Sequence, residues 1–347
     1  MSERMTNILG YLTLAAILAA IWILFGEDPT REQGARGERT FAGLAERVNE
    51  TARVTVARGD EQVVLSREGD SWLVDSRSRY PADADKVRAM LRGFARSERR
   101  EPKTSNPERF GALDLGNAAT AVTLADETGG TLLSVKVGKR KEGGSGRSLT
   151  FVFQETDTRA WLVSGIEDVP VEATEWLSTG LLDIAQQRVK SITLNDVTLS
   201  RPLGEQDYSV FDLSEGETAV AGYKRSEPAR TLAGLDLADV EQTANPLMEP
   251  SSNGLLETHD GLRVSFTLFE QNDAMWIQLE ADYDAARAAS GEAGELPQAP
   301  ADGEAEAEAL NARLRGWLFK LSSFDADILT QNRSDFVESD TSDAAAS

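Results

Sequence analysis

Apolar positions along the chain change period several times, and each change marks an element. Ile8–Phe25 is a run of about 18 residues without a charged side chain, long enough to cross a bilayer core as one tilted helix. Glu27–Arg39 is a polar, Gly-containing tether. Thr40 then offers a cap for a short helix carrying Phe41, Leu44 and Val48 on one face. Strand-like runs at Ala52–Ala57 and Gln62–Arg67, a Gly69-Asp70 turn and Trp72-Leu73-Val74 predict an antiparallel meander. Tyr80-Pro81-Ala82-Asp83 opens a helix in which Val87, Met90, Leu91 and Phe94 recur at helical spacing. Asp83 and Asp85 in its first turn, and Arg96, Arg99 and Arg100 near its end, complement the helix dipole. Glu101–Pro107 breaks the helix. Strands are expected near Ala121–Ala125, Leu132–Val137, Leu149–Gln154 and Ala160–Val163, and Trp317–Leu321 reads as a buried strand.

The two halves of the chain repeat. Val63-Val64-Leu65-Ser66-Arg67 matches Val197-Thr198-Leu199-Ser200-Arg201, displaced by 134 positions. Thr104-Ser105-Asn106-Pro107 is echoed by Thr243-Ala244-Asn245-Pro246, displaced by 139. The helix of the first half has a weaker counterpart around Leu232–Val240, and Ala121–Val137 has one in Gly254–Phe269. The expected fold class is therefore α+β: a single N-terminal transmembrane helix followed by two tandem, pseudo-repeated α+β units with mainly antiparallel sheets. The segments are an anchor over 1–26, a tether over 27–39, and units over 40–191 and 192–333. A disordered acidic insertion over 285–309, with a helix beginning near Glu304, interrupts the second unit, and 334–347 reads as a floppy tail.

Ala15, Ala16, Ala19 and Ala20 could serve a cleaved signal, but Ile21–Phe25 continues the apolar run past any cut among them, which favours a retained anchor. The chain has no Cys, so a lipid-modified cysteine cannot anchor it, and disulfides and thiolate sites are absent. Orientation is contested within the sequence. Arg31, Arg36 and Arg39 after the run outnumber Arg4 before it, yet the net charge of the flanks is positive before and negative after. The reading adopted is an N-terminus in the cytoplasm.

A net charge of −22 and a pI near 4.5 disfavour nucleic acid and anionic lipid as main ligands, because phosphates are repelled. Against that background Lys139, Arg140, Lys141 and Arg147 form a basic cluster on Gly138–Arg147, which reads as a flexible hairpin tip. These four residues, and the small-residue helix face of Ala15, Ala16, Ala19 and Ala20, are the candidate partner contacts. Gly138–Arg147 lacks the spacing of a phosphate loop. The one histidine, His259, precedes an Asp-Gly turn and reads as a surface residue; no nucleophile elbow accompanies it. Asp75, Asp83, Asp85, Asp325 and Asp327 read as capping residues rather than cation ligands. No catalytic, cofactor-binding or metal-binding residue is assigned.

Arg39–Val48, Trp72, Tyr80–Asp83, Glu101–Leu115, Val135–Gly138, Trp161–Gly165, Asp260–Val264 and Gly316–Leu321 form an ordered set of motifs. The set resembles the DUF4340 family of membrane-anchored proteins of unknown function, over roughly Thr40–Val337, with Glu101–Pro107 the most specific part. The chain departs from the family at Phe151-Val152-Phe153-Gln154, where relatives tend to carry Arg after a tyrosine-valine pair. Such proteins are often encoded beside an ABC-type ATPase, its permease and a protein similar to the gliding-motility auxiliary subunit. The resemblance implies a non-enzymatic, extracytoplasmic accessory subunit of an ABC-2-type transport system in a bacterial inner membrane. Its expected partners are the permease, the auxiliary subunit and, indirectly, the ATPase. Membrane lipid is met through the anchor, with no cofactor and no nucleic acid. A stand-alone envelope module binding a glycan or a lipid is the alternative.

Overall fold

The structure, a computed structural model, describes Thr13, Ala16 and residues 36–142, 148–243, 248–288, 296 and 299–339. Of the apolar run only Thr13 and Ala16 are described, both helical; Ala15, Ala19, Ala20 and Arg147 lie outside the described residues. No helix among the described residues is long and apolar enough to cross a membrane. The chain divides into two compact units, one of Met1–Leu73 with Ala84–Trp176, the other of Val74–Asp83 with Leu177–Ser347.

In the first unit β1 (Arg53–Arg58) and β2 (Glu61–Glu68) form a hairpin and β3 (Ser71–Val74) extends it. The next strand, β4 (Tyr80–Pro81), lies in the segment that groups with the second unit. The helix Ala84–Arg96 follows, burying Val87, Leu91, Phe94 and Ala95. It ends before Arg99 and Arg100, which instead lie on β5 (Glu98–Pro102). A second meander follows: β6 (Thr120–Ala125), β7 (Thr131–Glu142), β8 (Ser148–Phe153) and β9 (Trp161–Ser164). The strands of this unit are ordered β3-β2-β1-β6-β7-β8-β9-β5. Alternation sets the buried face: Val54 and Val56 on β1 face Leu65 and Val63 on β2, all essentially inaccessible.

The second unit has β10 (Val189–Leu194), β11 (Val197–Ser200), β12 (Ser209–Val210) and β13 (Glu217–Ala219), then the helix Gly222–Ala233. After the helix come β14 (Asp239–Gln242), β15 (Ser252–Thr258), β16 (Leu262–Gln271), β17 (Ala274–Tyr283), β18 (Trp317–Lys320) and β19 (Val337–Ser339). Its main sheet is ordered β12-β11-β10-β15-β16-β17-β18-β14. Strand for strand, this is the order of the first unit: three strands, a helix to the far edge, then a meander back to that edge. Leu199 faces Ile192, and Ile192 faces Leu256, as Leu65 faces Val54 and Val54 faces Leu124. The fold is mixed α+β with mainly antiparallel sheets, and Leu199 takes the place of Leu65.

Several local expectations need correction. Thr40 does not cap the short helix Leu44–Arg47, whose N-cap is Gly43; the Thr40 amide instead bonds Ser97 O at 2.9 Å. The helix counterpart is Gly222–Ala233 rather than 232–240, because Pro228 inside it and its weak apolar stripe hide the helical period. The acidic insertion is helical at both ends, over Ala285–Ala288 and Gly303–Leu314, the latter capped by Asp302. Part of the tail is structured: Phe336 is buried, and Val337–Ser339 pairs with β13; 340–347 lie outside the described residues.

Candidate functional site

The structure places the first part of the basic hairpin, 138–142, on a strand. β7 runs to Glu142, with Arg140 opposite Thr150 and Lys141 opposite Leu149 on β8, so 138–142 belongs to the ladder and not to a flexible tip. Gly138 is required at its place because a Cβ there would fall on the Leu113 carbonyl and crowd Leu115. Lys139, Arg140 and Lys141 are exposed, and Arg140 donates to Ser148 Oγ.

The edge strand β5, beyond β9, carries further charged side chains. The Glu101 carboxyl is held below its ordinary range, first by the hydrogen bond and charge of Lys103 and then by Lys141 and Arg36. Arg99 stacks 4.5 Å from the Trp161 ring and pairs with Asp157 at 2.8 Å. The Glu101–Pro107 motif proves to be a chain-folding device. Lys103 N bonds Ala160 O at 2.8 Å, Ala160 N returns to Thr104 O at 3.0 Å, and Asn106 caps the following turn at Glu108 N. The Phe153 ring lies 4.7 Å from the Phe110 ring.

His259 is buried, not exposed. Its amide donates to Arg188 O at 2.8 Å, drawing the Asp-Gly turn onto the turn Gln186–Arg188. Arg188 itself is 3% exposed. Its Nε donates to Asp260 at 2.9 Å, and its two terminal nitrogens donate to Glu306 at 2.8 and 2.6 Å. Burial works against the charge, but the hydrogen bonds and charges of Glu306 and Asp260 outweigh it and hold the guanidinium above its ordinary value. Beside this cluster, within the second unit, lies a cavity of about 490 Å³ lined by Gln186, Gln187, Arg201, Glu205, Gln206, His259 and Leu296 among others. Arg201 frames it by donating to the carbonyls of Val189, Glu205 and Gln186. The cavity offers three side-chain amides, one imidazole, one carboxylate and one guanidinium, a set able to donate and accept hydrogen bonds. No group of three or more metal-ligating side chains occurs among the described residues.

The predicted basic cluster belongs to the first unit and this cavity to the second. Arg188 and Glu306 escaped sequence reasoning: nothing in their local pattern marks them, and they are 118 positions apart. Arg201 is marked only as the end of a repeated run.

A family model described as "Domain of unknown function (DUF4340)" matches residues 72–260. The chain belongs to the DUF4340 family. No curated protein and no solved structure matches it. The matched span runs from Trp72 to the Asp260 that holds Arg188, so it covers parts of both units of this DUF4340 protein.

Tyr80 and Tyr208, both in the second unit, carry a titration signature. Burial pushes each phenol up to about 12. The folded state holds these protons more tightly than the unfolded chain, whose tyrosines ionise near pH 10. Their contribution is complete below about pH 10 and is lost as pH rises toward about 12. Alkaline titration followed by tyrosinate absorbance and circular dichroism is expected to show delayed ionisation coincident with unfolding. Ionisation of every tyrosine before any structural loss would contradict these placements.

Proposed function

We propose that this protein is a non-enzymatic accessory subunit of an ABC-2-type transport system, anchored in a bacterial inner membrane by Ile8–Phe25 with its two α+β units in the periplasm. Membership of the DUF4340 family carries the reading, because such proteins are often encoded beside an ATPase, a permease and a gliding-motility-like auxiliary subunit. One membrane helix encloses no solute path, and the chain has no phosphate-loop motif. Any transport role is then borrowed from partners. Ala15, Ala16, Ala19 and Ala20 supply a small-residue face for contact inside the membrane. Lys139, Arg140 and Lys141, exposed on β7, are suited to rim contacts with a second extracytoplasmic domain; Arg147 follows in sequence.

Purification in mild detergent with crosslinking is expected to recover the permease and the auxiliary subunit with the full-length protein. Recovery of the protein alone, while the permease remains folded, would overturn the reading. A second reading, a free-standing envelope module binding a glycan or a lipid, draws support from the polar cavity beside His259 and would then take precedence.

A further inference from the structure

Charge is divided unevenly between the two units. The first has 22 basic and 25 acidic residues, net −3; the second has 14 basic and 33 acidic, net −19. The same division holds for exposed apolar surface. Among the described residues the exposed large apolar side chains are Phe211, Leu213, Tyr223 and Phe324, at 66%, 43%, 67% and 62%, and all four belong to the second unit.

The elements that carry them adjoin. Phe211 leaves the sheet edge at β12, its amide donating to Thr198 O at 2.8 Å. The helix beginning at Gly222 is clamped there by Arg225, which donates to Tyr208 O at 2.5 Å and Val220 O at 2.6 Å. The helix Ser323–Leu329 packs against it and presents Phe324. The loop between Phe211 and Gly222 is held as well. Arg333 donates to Asp212 O at 3.0 Å and pairs with Glu217 at 2.6 Å, while Glu217 also takes the Ser214 amide at 2.8 Å. Exposed rings on a fixed backbone lose little entropy on binding, which distinguishes a docking patch from scattered apolar residues.

The surroundings say what would cover the patch. Residues 204–227 include six acids, Glu205, Asp207, Asp212, Glu215, Glu217 and Glu227, against Lys224 and Arg225. Arg225 is engaged with carbonyls and Glu217 with Arg333. The segment that carries Phe211, Leu213 and Tyr223 is therefore apolar at these exposed positions and net acidic around them. An anionic lipid surface and a second, equally acidic copy are both repelled. A cationic partner is attracted, with its apolar side chains on the rings and its Lys or Arg on the acids around them.

We propose that Phe211, Leu213, Tyr223 and Phe324 form a docking surface for a cationic amphipathic segment of another protein. The proposal stands apart from the transporter reading and involves neither the anchor nor the basic hairpin.

The test uses the full-length protein in detergent and a fluorescent helical peptide of Leu and Lys with one apolar face, followed by anisotropy at physiological salt. Saturable binding is expected. The F211S/Y223S variant, altered only at exposed positions and checked by its unchanged melting, should bind at least about tenfold more weakly, the effect of losing roughly 1.4 kcal/mol. D212N/E215Q should weaken binding and flatten its salt dependence, and a peptide with Glu in place of Lys should not bind. Equal binding by the wild type and F211S/Y223S would reduce the attraction to bulk charge and overturn the proposal. So would a wild-type dimer that F211S/Y223S abolishes, or patch-dependent binding to anionic vesicles.

Discussion

Residues 177–339 expressed by themselves are expected not to fold, although they hold every strand of the second sheet. The missing part is Val74–Asp83, which groups with this unit despite lying far upstream in the chain. Tyr80 is 6% exposed and meets Trp317 edge-on at 5.0 Å and Phe319 at 6.1 Å. Ala82 bridges Leu177, and Ser178 N donates to Pro81 O at 3.0 Å. Arg77 grips Asp239 with two hydrogen bonds, of 2.6 and 3.1 Å. That ion pair, with side chains 30% and 24% exposed, contributes less than the ring. Emptying the Tyr80 site alone costs about 3–5 kcal/mol by comparison with other large aromatic truncations, against a total of about 5–15 kcal/mol for a domain. Circular dichroism and proteolysis should report an unfolded or aggregated fragment. The same fragment with 74–83 joined ahead of it through a flexible Gly/Ser linker should regain protection. A stable, cooperatively melting 177–339 fragment would show that the segment is dispensable.

Arg188→Ala is expected to destabilise the second unit by about 3–5 kcal/mol, the usual cost of removing one member of a buried ion pair. The change leaves Asp260 and Glu306, with side chains 11% and 20% exposed, facing each other without a counter-charge. In a melting experiment this corresponds to a fall of roughly 10 °C in the transition of that unit. The helix Gly303–Leu314 should loosen but stay attached, because Asn311 independently bonds both backbone groups of Ala281, at 2.9 and 2.7 Å. R188M/D260N/E306L, which removes the charges together, should recover most of the loss, since matched apolar replacement of a buried pair is often neutral or stabilising. An R188A variant that melts with the wild type would place the cluster in water rather than in the interior.

The pattern of residues alone was enough for much of the frame. Alternation at Val54, Val56, Val63 and Leu65 fixes which side of the first hairpin is buried, because a one-residue slip would turn all four to solvent. The spacing of Val87, Leu91 and Phe94 defines the first helix and its inner face. The matched runs ending at Arg67 and Arg201 mark two structures of one design, and the motif set places the chain in its family.

Tertiary contact decided the rest. That Tyr80 closes the second unit depends on Trp317, and that Arg77 meets Asp239 depends on a residue 162 positions away. His259 is buried because its amide is drawn to Arg188, and Arg188 because Glu306 reaches it from the end of an insertion whose composition suggests disorder. A local pattern reports which face of an element seeks an interior; it carries no record of which distant element supplies that interior, or of which buried charge finds its counter-charge there.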